Sequence, residues 1–423
     1  MTLLTIFIVL VFLHSLVSGR LERTVVTAPI LFTAAGMLAL VALPELRDRE
    51  VGPELFLRVA EFGLVLLLFT DASRTDLRVL RHIRNLPVRL LSTGMLLTLL
   101  LGGLCALVVF RQLSIWEAGI LAAILAPTDA GLGQVIVNSP RVPMKIRQAL
   151  NVEAGLNDGL SVPFLLFFIA LAGGAAAGDH ARLTRFILEQ LGYGTLVGLG
   201  IGGLGGWLLG LAHRRDWMAH SWVQLGVVAV PLLCLLASEK VGASMFIAAS
   251  VAGLVVQLGF KDAAKHSVEF TEEWGQLLNL SVFFLFGLLV ARAWPHFNWL
   301  HAVYAVLSLT LVRMVPVAIA LIGTRLSRST VLFMGWFGPR GLASIVLGLV
   351  YLQEQTQQTG EATIRFAVMV TVLLSIFAHG LSALPGMELY ARKLSALPPD
   401  AAELEGAEAG VRVQRPAHRQ TTN

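Results

Sequence analysis

The chain has 423 residues, of which 56% are hydrophobic and only 14% are charged. Soluble domains carry about 25% charged residues, so this composition excludes an ordinary soluble domain. The net charge of +5 therefore does not indicate nucleic-acid binding, and its distribution among the loops reports orientation in a membrane instead. Both cysteines, Cys105 and Cys234, lie within apolar runs, and neither a disulfide framework nor a metal site is indicated.

The first apolar run begins at the second residue. No basic residue precedes it, whereas Arg20 and Arg23 follow it. A signal peptide has the reverse order. The run therefore predicts a first transmembrane helix whose N-terminus lies outside the cell.

Apolar runs of about 20 residues recur along the chain and predict an all-α polytopic membrane protein with about 13 transmembrane helices. The predicted spans begin near residues 2, 25, 54, 87, 115, 146, 186, 221, 242, 276, 298, 329 and 362. Loop 3–4 carries five arginines between Arg74 and Arg89, whereas loop 12–13, "QEQTQQTGE", has no basic residue. This bias predicts a multi-pass protein of the cell (inner) membrane, with the N-terminus outside and the C-terminus in the cytoplasm. Residues 386–423 are predicted to form a short disordered cytoplasmic tail.

A glycine-rich stretch in span 7 satisfies the dinucleotide-binding pattern G-x-G-x-x-G from Gly200 to Gly205. No strand precedes it and no acidic residue follows at the required distance, so we dismiss nucleotide binding. Glycines instead recur every four residues, which predicts a smooth helix face for close packing. These are Gly198, Gly202, Gly206 and Gly210.

Two spans contain a proline beside a charged residue, with glycines nearby. Span 5 has Pro127, Thr128 and Asp129 in "APTDAGLG", and span 12 has Pro339 and Arg340 in "FGPRGLAS". Proline removes an amide donor and clashes with the preceding turn, so both helices are predicted to be interrupted. Irregular backbone at mid-membrane depth survives only where it faces protein or water.

The two breaks occupy matching places in the chain. Span 5 is the fifth of spans 1–6, and span 12 is the fifth of spans 8–13. Interrupted helices at corresponding positions of two halves indicate a transporter built from inverted repeats.

Span 6 adds further buried polar residues in "NVEAGLNDGLSVP". Glu153, Asn157 and Ser161 share one stripe of the predicted helix, and Asp158 lies on the adjoining edge. Together with Asp129 and Thr128 they supply carboxylate, amide and hydroxyl oxygens, which hard cations such as sodium prefer. We therefore predict an ion site from these residues. Asp129 has the alternative role of capping the second half-helix.

Two arginines within the spans are candidate partners for the acids. An unpaired arginine at a helix centre costs about 2.5–3.5 kcal/mol even on the mild insertion scale. We therefore expect Arg340 to pair with Glu153, with Arg313 of span 11 as a further neutralising residue, which leaves Asp129 and Asp158 for chemistry. Asp71, at the end of span 3, either lines an ion entry path or is a solvated helix cap.

The stretches PTD in span 5, NVEAGLNDGLSVP in span 6 and GPRG in span 12 resemble the bacterial NhaP-like branch of the monovalent cation/proton antiporter family. The resemblance covers residues 1–385. It implies a transmembrane exchanger domain in which a core of spans 4–6 and 11–13 moves against dimerisation spans 1–3 and 7–10. It further implies a homodimer that exchanges Na⁺ or Li⁺ for protons.

The resemblance also assigns roles to individual residues. Asp158 becomes the essential carrier of ion and proton, and Asp129 and Thr128 become ligands. Glu153 and Arg340 become the structural pair. Relatives often have a serine where this chain has Ala154, which removes one possible hydroxyl ligand. Asn157 before Asp158 resembles the electroneutral members.

A site that binds either a dehydrated cation or protons explains coupled exchange, because a bare charge would not cross the hydrocarbon. K⁺/H⁺ exchange is an alternative within the same class, and an uncoupled channel or sensor on the same scaffold is another. No nucleophile–base pair accompanies the acids, so an enzyme is not indicated, and neither is a cofactor.

Overall fold

The structure is a computed structural model in which the following residues are described: 2–21, 24–43, 53–74, 85–137, 139–175, 185, 188–261, 263–353, 359–398 and 401–404. All regular secondary structure among these residues is helical.

We number fifteen helices along the described chain. Their bounds are α1 Thr2–Leu21, α2 Ala28–Ala42, α3 Pro53–Arg74, α4 Leu86–Val109, α5 Ile115–Ile124, α6 Ala130–Val137, α7 Met144–Ala170, α8 Leu188–Arg214, α9 His220–Val241, α10 Met245–Gly259, α11 Ala263–Ala293, α12 Trp299–Ala320, α13 Arg328–Trp336, α14 Leu342–Gln353 and α15 Glu361–Leu394.

Eight of these helices, within the described residues, are long and apolar enough to cross a membrane by length and composition. They are α1, α4, α7, α8, α9, α11, α12 and α15. The prediction of an all-α polytopic membrane protein is therefore confirmed. Several further apolar helices are shorter, among them α2, α5, α10 and α14.

Two pairs of short helices carry the proline motifs between them. Helix α5 ends at Ile124 and α6 begins at Ala130, with Pro127 in the connecting segment. Helix α13 ends at Trp336 and α14 begins at Leu342, with Pro339 in the connecting segment. The helix ends at these segments have backbone groups without helical partners, and those groups need partners from elsewhere in the protein.

The glycine face of α8 packs directly on α10. A Cβ atom placed on Gly202 would lie 2.6 Å from the Cα of Ala252, and one placed on Gly206 would lie 2.5 Å from the carbonyl oxygen of Val256. Both glycines are buried. The four-residue spacing therefore makes a backbone-to-backbone contact, the packing mode of small residues in membranes.

The chain remains ordered beyond the predicted end of the membrane domain. Helix α15 continues through Pro385 to Leu394 because its buried face continues, with Met387 and Tyr390 both in the interior. The prediction of a disordered tail from residue 386 is thus wrong for residues 386–398 and 401–404, and residues 405–423 lie outside the described residues.

Glu403 attaches the end of this segment to the start of α13. Its carboxylate accepts hydrogen bonds from the Ser327 amide at 2.6 Å and from the Thr330 hydroxyl at 2.8 Å. Burial alone would raise the pKa of the Glu403 carboxyl, but these donors bring that pKa below its ordinary value. The carboxylate is therefore charged at neutral pH and caps the N-terminus of α13.

The glycine contact gives a first prediction. Gly202→Ala is expected to lower the free energy of unfolding by about 1–3 kcal/mol, because the added methyl overlaps α10. The matched control is Gly200→Ala, whose Cβ would meet no atom within 4 Å. Alanine is the better helix former, so the control is expected to be neutral or to stabilise by up to about 1 kcal/mol. Unfolding in detergent micelles, followed by circular dichroism, measures both, and equal stability of the two variants would contradict the close contact.

Candidate functional site

The two proline-containing segments contact each other in the protein interior. The backbone amide of Asp129, which precedes α6, donates to the carbonyl oxygen of Pro339 at 2.8 Å. Asp129 is only 4% exposed and Arg340 is fully buried. The sequence motifs of spans 5 and 12, more than 200 residues apart, therefore form one site.

The carboxylate of Asp129 caps both half-helices that start at this site. Its Oδ1 accepts from the Leu132 amide at 3.0 Å, and its Oδ2 accepts from the Leu342 amide at 2.6 Å. Helix N-termini carry partial positive charge, so one carboxylate stabilises both α6 and α14. A Cβ atom on Gly341 would overlap this carboxylate, which explains why a glycine stands there. The capping role considered for Asp129 is therefore present, and it extends to a second helix.

The C-terminal ends of the preceding helices, α5 and α13, receive hydrogen-bond donors. Arg340 Nη1 donates to the carbonyl oxygen of Ala126 and, at 2.8 Å, to that of Pro127, just beyond the C-terminus of α5. His379 Nε2 lies 2.9 Å from the carbonyl oxygen of Trp336, the last residue of α13. Positive charge and N–H donors both stabilise helix C-termini.

Sequence reasoning missed two residues that support the second break. Ser375 Oγ accepts from the Arg340 amide at 2.6 Å, and His379 Nδ1 lies 3.2 Å from the same hydroxyl oxygen. The available signal was a serine and a histidine four residues apart in an otherwise apolar span, a spacing that places both on one helix face.

The buried ion pair differs from the expected one. Arg313 of α12 makes a bidentate contact with Glu153 of α7, with nitrogen–oxygen distances of 2.5 and 2.9 Å. The prediction that Arg340 pairs with Glu153 is wrong, because Nη1 of Arg340 is directed at the carbonyl groups of the first break. Both partners of the observed pair are about 5% exposed or less.

Asp158 and Asn157 provide oxygen atoms that remain available. The Asn157 amide donates to the Thr128 hydroxyl at 2.7 Å. Its Oδ1, and Oδ1 of Asp158, are buried and accept no hydrogen bond from the described residues. A buried acceptor without a donor is costly unless a cation or a proton can bind to it. These two oxygens are therefore the candidate ligands for a cation or a proton.

Asp71 and Ala154 adjoin this centre on two sides. Asp71 is half-buried, and a Cβ atom on Gly155 would lie 3.1 Å from the Cβ of Asp71. Asp71 therefore lies against α7, one turn before Asp158. Ala154 lines a cavity of about 20 Å³ together with Thr128, Asp129 and Glu153, which is room for about one water-sized particle.

The site combines two proline-containing segments, whose flanking helix ends are satisfied by side chains, with a buried carboxylate that has an unused oxygen. The class of protein to which the chain belongs is a polytopic membrane protein with an ionisable centre inside the helical bundle.

Comparisons with known proteins identify the family. The family described as sodium/hydrogen exchanger, transmembrane, matches residues 5–387, so the chain belongs to this family. A Na⁺/H⁺ antiporter of Schizosaccharomyces pombe is 26% identical over 66% of this chain. A K⁺/H⁺ antiporter, NhaP, of Alkalimonas amylolytica is 27% identical over 82% of it. The chain spans 65% and 60% of the length of these two relatives.

A solved structure shows the same fold. The structure of the sodium proton antiporter MjNhaP1 from Methanocaldococcus jannaschii matches with a TM-score of 0.75 and covers 94% of this chain and 99% of that one. The two sequences are 22% identical. The likeness establishes the NhaP-type fold.

The Arg313–Glu153 pair gives a second prediction. Glu153→Gln leaves a buried guanidinium without its counter-charge, so a loss of about 3–5 kcal/mol in the free energy of unfolding is expected. The double variant Glu153→Leu/Arg313→Leu is expected to recover most of that loss, since both charges are removed together. Unfolding in detergent micelles measures the three proteins side by side.

The control for this prediction is the pair Arg141–Glu388, whose side chains are 55% and 57% exposed. Glu388→Gln is expected to change the stability by about 0–1 kcal/mol. A loss in Glu153→Gln no larger than in Glu388→Gln would show that the buried pair does not have the assigned role.

Proposed function

We propose that this protein is a secondary active transporter that exchanges Na⁺ or Li⁺ for H⁺ across the membrane by alternating access. The observation that carries this proposal is the buried Asp158 carboxylate. Its Oδ1 has no hydrogen-bond donor among the described residues. The side-chain oxygen of the preceding residue, Asn157, also has none. A cation or a proton can satisfy this carboxylate, and the two compete for it.

The helices support an architecture of thirteen crossings. Besides the eight long helices, we assign one crossing each to α2, α3 and α10, one to α5 with α6, and one to α13 with α14. The two split crossings are then the fifth of the first six and the fifth of the last six, as inverted repeats require.

The packing supports a division into two domains. Helix α8 packs on α10, α10 on α3, and α11 on both α2 and α3, whereas α4 packs on α5, α5 on α7, and α12 on both α13 and α15. We assign the first set to a dimerisation domain and the second to a core domain that carries the ion site. The N-terminus outside, the C-terminus in the cytoplasm, the cell membrane location and the homodimer complete this proposal.

Within the core domain, the three buried acids have separate tasks. We assign Asp158 as the ion and proton carrier, with Asn157 as an additional oxygen ligand. Thr128 holds the Asn157 amide, and Asp129 holds the two half-helices while contributing negative charge. Asp71 lies where it can face an entry path on the other side of α7. The domain moves only when Asp158 is neutralised, because a bare carboxylate in hydrocarbon is costly.

K⁺/H⁺ exchange is the second candidate. The K⁺/H⁺ antiporter NhaP of Alkalimonas amylolytica matches over 82% of this chain. Ala154 stands where relatives often have a serine, so one possible hydroxyl ligand of the ion is missing. A smaller set of protein ligands favours the cation that is more easily dehydrated, and K⁺ is the larger of the two.

The third prediction tests the carrier. Wild-type protein in liposomes with a trapped pH dye is expected to dissipate a pH gradient on addition of Na⁺, Li⁺ or K⁺, and the most active ion identifies the substrate. Asp158→Asn is expected to reduce the cation-dependent flux to background, because an amide neither binds the exchanged proton nor balances a cation.

The matched control is Asp216→Asn, an exposed loop position with φ of 52°, a conformation that both residues tolerate. It is expected to retain wild-type flux. If wild-type protein moves no protons with any of the three cations, the exchanger proposal is overturned. If cations move without protons, the channel alternative replaces it.

The fourth prediction concerns stoichiometry. Since Asn157 stands beside a single carrier carboxylate, one cation is expected to exchange for one proton. The ion gradients at which net flux reverses are then independent of membrane potential. An electrogenic cycle would gain about 2.3 kcal/mol per net charge from a potential of 100 mV. Reversal measured in liposomes with and without such a potential distinguishes the two, and a shift of the reversal point rules out electroneutral exchange.

A further inference from the structure

A second cavity lies away from the carboxylates, between α11, α14 and α15. It has a volume of about 510 Å³, within the range of about 300–1,000 Å³ typical of small-molecule sites. Its walls are apolar and are formed mainly by leucines, among them Leu285, Leu288, Leu349 and Leu352. It adjoins a smaller cavity of about 30 Å³ that also contacts Leu349 and Leu352. The two cavities together offer a largely apolar space.

The polar residues of this cavity are all basic. Arg292 of α11, His296 just after the end of α11 and Arg365 of α15 line it, and none of its described lining residues is acidic. The guanidinium carbon of Arg365 lies 4.9 Å from the centre of the Phe366 ring, and the His296 ring stacks on the same phenylalanine at 5.5 Å. These contacts hold Arg365 and His296 together at one end of the apolar space.

Tryptophans locate that end at the membrane surface. Trp294 and Trp299 flank His296 in the chain and are 57% and 71% exposed. Exposed tryptophans of membrane proteins gather at the level of the lipid headgroups. The basic end of the cavity therefore lies at headgroup depth, and its leucine walls extend toward the acyl chains.

We propose that this cavity binds an anionic phospholipid. The phosphate contacts Arg292 and Arg365, and one acyl chain occupies the space between the leucines. A zwitterionic lipid supplies the same chain but adds a cationic group among basic residues. A free phosphate matches the arginines but leaves the apolar walls unfilled. Under the domain assignment proposed above, the lipid joins α11 of the dimerisation domain to α14 and α15 of the core; this bridging role rests on the proposed function.

The test is native mass spectrometry of the purified full-length chain, which needs no transport activity. The probes are a phosphatidylglycerol and a phosphatidylcholine with identical acyl chains, and glycerol phosphate as the free anion. We expect phosphatidylglycerol to bind more tightly than both other probes. Arg292→Gln and Arg365→Gln are each expected to weaken it about five-fold, the usual contribution of one basic residue at a membrane surface.

The matched control is Arg111→Gln. Arg111 is exposed and lies on the same side of the membrane, since the neighbouring Gln112 donates to Thr363 of α15 at 3.2 Å. This variant is expected to bind phosphatidylglycerol like wild type. Leu349→Trp fills the apolar space and keeps the arginines, so it is expected to weaken lipid binding and leave glycerol phosphate binding unchanged.

Three results would overturn the proposal. They are equal binding of the two lipids, equal loss in Arg111→Gln and Arg365→Gln, or glycerol phosphate binding as tight as that of phosphatidylglycerol. Because the measurement is of binding alone, these results are separate from a failure of ion exchange in the liposome experiment.

Discussion

The Asp129 carboxylate is the constraint on which the site depends. One oxygen accepts from the start of α6 and the other from the start of α14. Without it, two helix N-termini would face each other inside the bundle with unsatisfied amides and partial positive charge, which low-polarity surroundings penalise strongly. Arg340 and His379 serve the opposite ends. The prolines do not continue a regular helix, and these side chains supply the hydrogen bonds that the helix ends beside them need.

This constraint separates the roles of the buried acids. Asp129 has both oxygens bound to backbone amides, and Glu153 has both bound to Arg313. Asp158 alone among these three keeps an oxygen with no donor from the described residues. In the proposed exchanger, the fold itself satisfies the scaffold acids Asp129 and Glu153, and Asp158 is the acid that is left for a mobile ion. The proposed exchange is therefore assigned to Asp158, because the protein itself already donates hydrogen bonds to both oxygens of the other two carboxylates.

The sequence predicted the helical class, because apolar runs are strong local signals, and its intramembrane charges pointed to Asp129, Glu153 and Asp158, which are all buried in the structure. It could not predict the partner of Glu153, since Arg313 and Arg340 have the same charge and only the geometry of the breaks directs Arg340 to Ala126 and Pro127. The predicted boundary of the membrane domain, at residue 385, also falls before the end of α15 at Leu394. Composition changes there, but the buried face of α15 does not, and the tail contact of Glu403 depends on a helix N-terminus that is distant in sequence.

In the proposed exchanger, cation preference depends on the side-chain oxygens that accept no hydrogen bond from the described residues. We infer that the transported ion is coordinated by the free oxygens of Asp158 and Asn157, with backbone carbonyls or water completing its shell. The Thr128 hydroxyl already accepts from Asn157, and Ala154 supplies no hydroxyl. Such a site has one strong charge and few fixed ligands, so the hydration of the ion weighs heavily in its selection. In the proposed exchanger, proton competition at Asp158, rather than the size of a cavity, is then the main determinant of coupling.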